Sequence, residues 1–265
     1  TIMARFKLLI EYEGTKYNGW QVQKGQKSIQ GAFFDACKTI FGEKAKFEFY
    51  GSGRTDSGVH ALGQVAHLDV QTNLPEGRIR MGLNDNLPSD INVLSVEKAD
   101  PQFHARFDAV ERSYVYIISK RRSAFGKQNI WWIKDRLNVA RMIEASENFY
   151  GRHDFRSFTD RDAETDTTLV NISVMDIHET DNLIAIHIVG SHFLWKMVRR
   201  IVGTLVEVGR GNIHEKDVAQ MLRTYSPIPA KLTAPPSGLY LEHVYYKGER
   251  TLRGPKIIPG ILRLV

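Results

Sequence analysis

The 265-residue sequence predicts an α+β protein made of two ferredoxin-like β-α-β-β-α-β halves with antiparallel sheets. Three observations lead there. Short apolar runs of strand length alternate with longer stretches of helical period. The order strand, helix, strand, strand, helix, strand occurs twice. The composition, 42% hydrophobic and 25% charged, is that of a chain with a buried core.

In the first half, the apolar-rich run 6–12 reads as a strand and 13–19 as a turn-rich stretch. Ile29, Phe33, Ala36, Ile40 and Phe41 recur at helical spacing, with Ser28 as N-cap and Gly42 as stop. Strands follow over 47–50 and 65–70, on either side of a glycine-rich loop. Pro75 opens a helix that runs to about Leu87, and 91–96 closes the half as a strand. The link 98–110 is the natural boundary, dividing 1–104 from 105–265.

The second half opens with an alternating strand over 114–118. Asn138 caps a helix carrying Val139, Met142, Ile143 and Phe149 on one face. Strands over 169–177 and 183–189 flank the turn residues Asp181 and Asn182. A strong helical pattern covers 193–208 and ends at Gly209. A shorter helix over 214–225 and a strand over 239–245 complete the half. The stretch 247–265 mixes charges, glycines and prolines and receives no element.

Several function classes drop out. A single cysteine, Cys37, excludes an internal disulfide framework and a cysteine-cluster metal site, and reads as a small core residue. No apolar run reaches the roughly 18 residues of a membrane span. The opening Thr1-Ile2-Met3-Ala4 lacks the basic-then-apolar layout of a secretion signal, so the cytoplasm is expected. A net charge of +6 is compatible with a polyanionic partner and equally with a solvated basic surface.

The densest chemical signal is Gly51-Ser52-Gly53-Arg54-Thr55-Asp56-Ser57-Gly58-Val59-His60-Ala61, between two strands. Its glycines permit close backbone approach or positive φ. It is neither a phosphate-binding P-loop nor a dinucleotide fingerprint, because no Gly-Lys-Ser/Thr follows and Asp56 stands where a third glycine belongs. From the residues alone, a catalytic Asp56 and a plain Asx-turn are evenly matched.

At this loop the sequence resembles the TruA family of tRNA pseudouridine synthases. The resemblance extends to Tyr12-Glu13-Gly14-Thr15-Lys16-Tyr17-Asn18-Gly19-Trp20-Gln21-Val22-Gln23, to Phe103-His104-Ala105-Arg106-Phe107-Asp108-Ala109 and to Arg112-Ser113-Tyr114-Val115-Tyr116. It continues through His153-Asp154-Phe155-Arg156-Ser157-Phe158 and the run 193–203 that begins Phe193-Leu194-Trp195-Lys196. These blocks keep the family's order from about Phe6 to Tyr246. The resemblance implies the pseudouridine synthase fold, two ferredoxin-like halves meeting at a central cleft. It also implies a homodimer acting on uridines of the tRNA anticodon stem-loop, at about positions 38–40.

The same resemblance assigns roles. Asp56 is the essential carboxylate, and Arg199 the guanidinium that keeps it ionised. Tyr114 stacks on the target uracil, although Tyr116, two residues on, lies on the same strand face. Arg54 fills the space left by a flipped base. Leu239 is a candidate wall of the uracil pocket and equally a core leucine. Arg200 reads as a surface helix arginine. Lys16, Lys24, Arg78, Arg80, Arg106, Arg112, Lys120, Arg121, Arg122 and Lys196 are candidate phosphate contacts. Val22 stands where bacterial relatives commonly carry a basic residue, so an RNA contact there is absent or is supplied by Lys24.

No cofactor or metal is expected, since the isomerisation needs no net water, redox change or phosphoryl donor. His187 and His192 are spaced wrongly for one helical face and read as structural. His153-Asp154 lacks an accompanying nucleophile elbow. Three other readings remain: a synthase of this family with another RNA target, a non-catalytic RNA-binding module, and a hydrolase using Asp56. The module lacks clear RNP-type aromatics, and the hydrolase lacks a second carboxylate in the loop.

Overall fold

In a computed structural model of the protein, residues 3–160 and 167–252 are described. They form two compact units, 3–110 with 241–249, and 111–240 with 250–252. The unassigned stretch 247–265 is thus described only as far as Leu252, and its remainder lies outside the described residues. No helix among them is long and apolar enough to cross a membrane.

The first unit runs β1 (Ala4–Tyr12), α1 (Ile29–Phe41), β2 (Phe47–Gly51), β3 (His60–Val70), α2 (Glu76–Asn86) and β4 (Ile91–Lys98). This is the predicted β-α-β-β-α-β order. β1 lies between β4 and β3, β2 pairs with β3, and every pairing is antiparallel. Along β1 the even positions Phe6, Leu8, Ile10 and Tyr12 are buried, which is the period-two pattern of a half-buried strand. The Ser28 hydroxyl accepts from the Gly31 N–H at 3.1 Å, and Gly42 ends α1 at φ 102°. Ile29, Phe33 and Cys37 then fall on the face α1 turns to the sheet, with Phe33 stacked on Phe49 at 4.6 Å. Burial pushes the Cys37 thiol up to about 12, so it is a core residue without nucleophilic character.

The second unit runs β5 (Ala109–Ser119), β6 (Trp131–Trp132), α3 (Val139–Ser146), β7 (Gly151–Asp154), β8 (Leu169–Glu179), β9 (Leu183–Gly190), α4 (Met197–Arg210), α5 (Glu215–Arg223) and α6 (Ile228–Lys231). Its strands lie in the order β5-β9-β8-β7, all antiparallel, and β6 adds a short parallel pairing to the end of β5. The last strand, β10 (Leu239–Tyr246), falls in the first unit from Leu241 onward, where its Glu242 carbonyl approaches Gly63 of β3. The architecture is α+β, as predicted.

Three local expectations are corrected. Strand β3 begins at His60, five residues before the expected start, because it is buried on both faces and shows no alternation. Helix α4 begins at Met197, because Lys196 sits in the left-handed region at φ 60° and stops the helix from extending back to Phe193. It also passes through Gly209 to Arg210 and ends at Gly211, φ 83°. Gly209 is there for packing: a methyl group on it would lie 2.8 Å from the Met142 sulfur of α3. Elements without a periodic signal, namely β6, β7 and α6, are additions to the predicted list.

The glycines of α4 and α2 make a paired test. A methyl on Gly203 would stand 1.4 Å from the Leu232 carbonyl oxygen, whereas one on Gly77 meets nothing within 4 Å. Gly203→Ala is expected to lower the unfolding free energy by about 2 kcal/mol or more. Gly77→Ala is expected to raise it by about 0.5–1 kcal/mol. Urea unfolding of the two variants checks both signs.

Candidate active site

The loop carrying Asp56 is held from two sides. From below, the Ser52 N–H donates to the Val65 carbonyl at 2.7 Å, the Ser52 hydroxyl to Gln64 at 2.7 Å, and the Gln64 amide to the Gly53 carbonyl at 3.1 Å. From above, the turn-rich stretch 13–20 lies across it. The Trp20 N–H donates to the Thr55 carbonyl at 3.1 Å, and the Gly58 N–H to the Tyr17 carbonyl at 3.2 Å. Tyr12 and Thr55 share a buried hydroxyl–hydroxyl bond of 2.8 Å. The Gly14 N–H donates to Nδ1 of the buried His60 at 2.9 Å.

The contact is between backbones. A methyl on Gly14 would lie 1.9 Å from the Val59 carbonyl oxygen, and one on Gly19 2.4 Å from that of Thr55. Gly19 also needs its φ of 84°. Gly51 clears the Trp20 ring only because it lacks a side chain. Thr55 and Val59 are therefore buried, while Asp56 between them is half-exposed and Arg54 is exposed. The Val59 N–H donates back to the Asp56 carbonyl at 3.1 Å, closing the turn. The result is a carboxylate presented from a fixed backbone, which suits a group that must meet a reacting carbon at one geometry.

In the second unit, Tyr114 lies on β5 opposite Ile188 of β9, half-exposed, with the Phe193 ring edge-on at 5.1 Å. Tyr116 shares its face but is fully buried, and its hydroxyl donates to the Pro235 carbonyl at 2.7 Å. Burial raises the Tyr116 phenol above its usual range, and the nearby Arg199 guanidinium opposes that rise. Arg199 is itself pinned, with its Nε donating to the Ala234 carbonyl at 2.7 Å and the Ala234 N–H donating to its own carbonyl at 3.0 Å. One face of β5, the start of α4 and the segment 232–238 thus assemble Tyr114, Tyr116 and Arg199.

A family model described as tRNA pseudouridine synthase matches residues 8–108 and 145–247, which take in the Asp56 loop and the Arg199 helix. The chain belongs to the tRNA pseudouridine synthase family. It is 43% identical over 248 residues to the tRNA pseudouridine synthase A of Rhodopseudomonas palustris (strain BisA53), covering 92% of this chain and 100% of that one. It is 41% identical over 244 residues to the protein of that name from Bacillus subtilis (strain 168), covering 91% and 99%. The Clostridium botulinum (strain Alaska E43 / Type E3) protein of that name is 39% identical over 246 residues, covering 92% and 100%.

The other predicted positions divide by what they touch. Lys16 is exposed at the end of the turn 14–16, its ammonium 3.4 Å from Asp90. Arg112 donates to the Ser191 carbonyl at 3.0 Å. Lys120 pairs with Glu179 at 2.8 Å, and Lys196 with Asp160 at 3.0 Å. Leu239 is buried at the start of β10. Val22 is exposed, and its N–H donates to the Gln30 side chain at 3.1 Å. His187 is buried and bonded to Ser113 at 2.8 Å, and no metal-binding group of three appears among the described residues. His153 bonds to the Tyr150 carbonyl at 2.8 Å.

Arg200 is a correction. Predicted at the surface, it is 4% exposed and ion-paired with Asp160, which it holds below the usual carboxylate range together with Lys196. α4 is covered on nearly all sides, so a neighbour of Arg199 has no solvent to reach. Sequence reasoning also missed Tyr12, Thr55 and the segment 232–235. Gly14 and Gly19 were the available signal, since glycines in a motif often mark close backbone approach.

The block 103–109 is a turn built on imidazoles. The His104 N–H donates to Asp108 at 2.7 Å, and the Ala105 N–H to Nδ1 of the buried His67 at 3.1 Å. Burial, with Arg5 and His104 nearby, brings His67 down to about 4.

Two expectations follow from these contacts. Thr55→Val removes the hydroxyl facing Tyr12 and should cost activity at least about tenfold while lowering stability by only about 1–2 kcal/mol, as read by kcat and urea unfolding side by side. For His67, the unfolded chain binds a proton near its ordinary value of about 6.5, but the folded chain binds it only near 4. Acid therefore favours the unfolded state, and stability should fall as pH drops from about 6.5 towards 4. Urea midpoints across that range, compared with those of His67→Gln, test it: the variant should show a shallower decline.

Proposed function

We propose that the protein converts uridine to pseudouridine in the anticodon stem-loop of tRNA, working as a cytoplasmic homodimer with Asp56 as its catalytic carboxylate. The observation that carries this reading is the family match across both units, with Asp56 on the braced loop. The reaction breaks the N1–C1′ bond, turns the uracil and rejoins it through C5. Cleavage develops positive charge at C1′, which an ionised carboxylate stabilises or traps. Attack at C1′, addition at C6 and removal of a ribose proton are alternative first steps for the same group.

The remaining roles are proposed with it. Arg199, fixed in direction by the Ala234 carbonyl, supplies the positive charge of the site. Tyr114 offers a half-exposed ring for the uracil to stack on, and Arg54, exposed on the loop, occupies the place of the flipped base. Leu239 contributes apolar wall. Lys16 and Arg112 contact phosphates.

The test is tritium release from tRNA carrying 5-tritiated uridine, since the label leaves C5 only when the carbon–carbon glycosidic bond displaces it. The parent should release label, and Asp56→Asn should lose at least about 10³-fold in rate with the fold intact. Arg199→Lys, which keeps charge but not the fork, should retain more activity than Arg199→Met. RNA binding without release by the parent would leave a binding module in place of an enzyme, and label released from another RNA would move the target.

A further inference from the structure

Between β5 and α3 the chain makes a compact loop, residues 120–130, whose ends are brought together by β6. Ile118 and Ser119 pair with Trp131 and Trp132, and the Ile133 N–H donates to the Ser119 carbonyl at 3.1 Å. Loops closed in this way are often functional. This one has a fixed base and an exposed rim. At the base, Asn129 and Ile130 are buried. The Tyr240 hydroxyl donates to the Asn129 carbonyl at 2.6 Å, and the Ser237 hydroxyl to that of Ile130 at 3.3 Å. Ser237 and Tyr240 flank Leu239, so the loop is clamped to the segment offered above as pocket wall.

The rim is basic and aromatic. Residues 120–136 contain Lys120, Arg121, Arg122, Lys127, Lys134 and Arg136 against one acid, Asp135. Arg121, Arg122 and Lys127 are exposed. Phe125 is 71% exposed and Trp132 42%, and the Arg122 guanidinium lies over the Trp132 ring at 6.0 Å. A surface that packs against another protein is depleted of charge at its centre. Cations interleaved with exposed rings instead match a strand of nucleic acid, whose phosphates take the charges and whose bases take the rings. Ser119, where the loop begins, lies about 17 Å along β5 from Tyr114, which is within the reach of one RNA stem.

We infer that the loop 120–130 is an RNA-positioning grip. Arg121, Arg122 and Lys127 bind phosphates of the substrate away from the reacting uridine, and the clamp through Asn129 and Ile130 ties that grip to the segment around Leu239. The inference rests on the tRNA reading above and adds a surface to it.

The test uses the full chain with Arg121, Arg122 and Lys127 all changed to Gln, which leaves the clamped base untouched. A control of equal charge change carries Lys38, Lys44 and Lys216 changed to Gln, all exposed elsewhere. The loop variant should bind tRNA at least about tenfold more weakly. Its slope of log affinity against log salt should be shallower by about 2. Turnover at saturating tRNA should stay within about twofold, so the loss sits in KM. The control should keep nearly the parent slope. Unchanged affinity in the loop variant, or an equal loss in the control, overturns the inference. So does a change in oligomeric state of the loop variant by sedimentation, which makes the rim a contact between copies. The catalytic reading fails separately: a parent that binds tRNA through this loop but releases no tritium supports the grip and removes the isomerase.

Discussion

Two stretches of backbone, 13–20 and 52–59, lie against each other with no space for a β-carbon between them. Gly14 meets the Val59 carbonyl and Gly19 the Thr55 carbonyl, and the hydrogen bonds of Trp20, Gly58 and Tyr12 exist only at that separation. Side chains hop between rotamers, but a backbone pinned at several points does not. The position of Asp56 is therefore set by main-chain contacts on both of its flanks. This explains why the two sequence blocks occur together: one presents the carboxylate, and the other is the mould in which that presentation is cast.

The second unit uses the same device for a different purpose. Gly203 of α4 accepts the Leu232 carbonyl against the helix surface, and Gly238 sits against the Tyr116 ring. The intervening segment crosses between α4 and β5, and its carbonyls at Ala234 and Pro235 receive Arg199 and Tyr116. A loop without regular structure becomes a template because its polar groups are spent on neighbours rather than on water. Arg199 thereby loses rotamer freedom, and the direction of its guanidinium is set by the fold.

Much of this was legible in the sequence, and the boundary is physical. Ser28, Asn138 and Gly42 were read correctly because a cap is a local event between residues a few positions apart. The first unit's strand and helix order was legible because its burial is one-sided. β3 between His60 and Gln64 was not, since a strand covered on both faces loses its alternation. Gly209 looked like a helix stop because the sequence does not show Met142 beside it. Tyr12 and Thr55 were invisible as a pair because 43 positions separate them. The family resemblance singled out the Asp56 loop, but the reason that loop keeps its shape is in contacts no motif displays.

Arg199 and Arg200 are adjacent, identical in type and opposite in use. Arg199 spends its side chain on a template segment beside the tyrosines of β5, while Arg200 neutralises Asp160 inside the packing of α4. Soluble yield is the measure of the second, since loss of Arg200 leaves a cavity beside α4 and Asp160 with Lys196 as its remaining partner. Two identical neighbours on one helix thus answer to different surroundings, one to the carbonyl of a loop and the other to an acid.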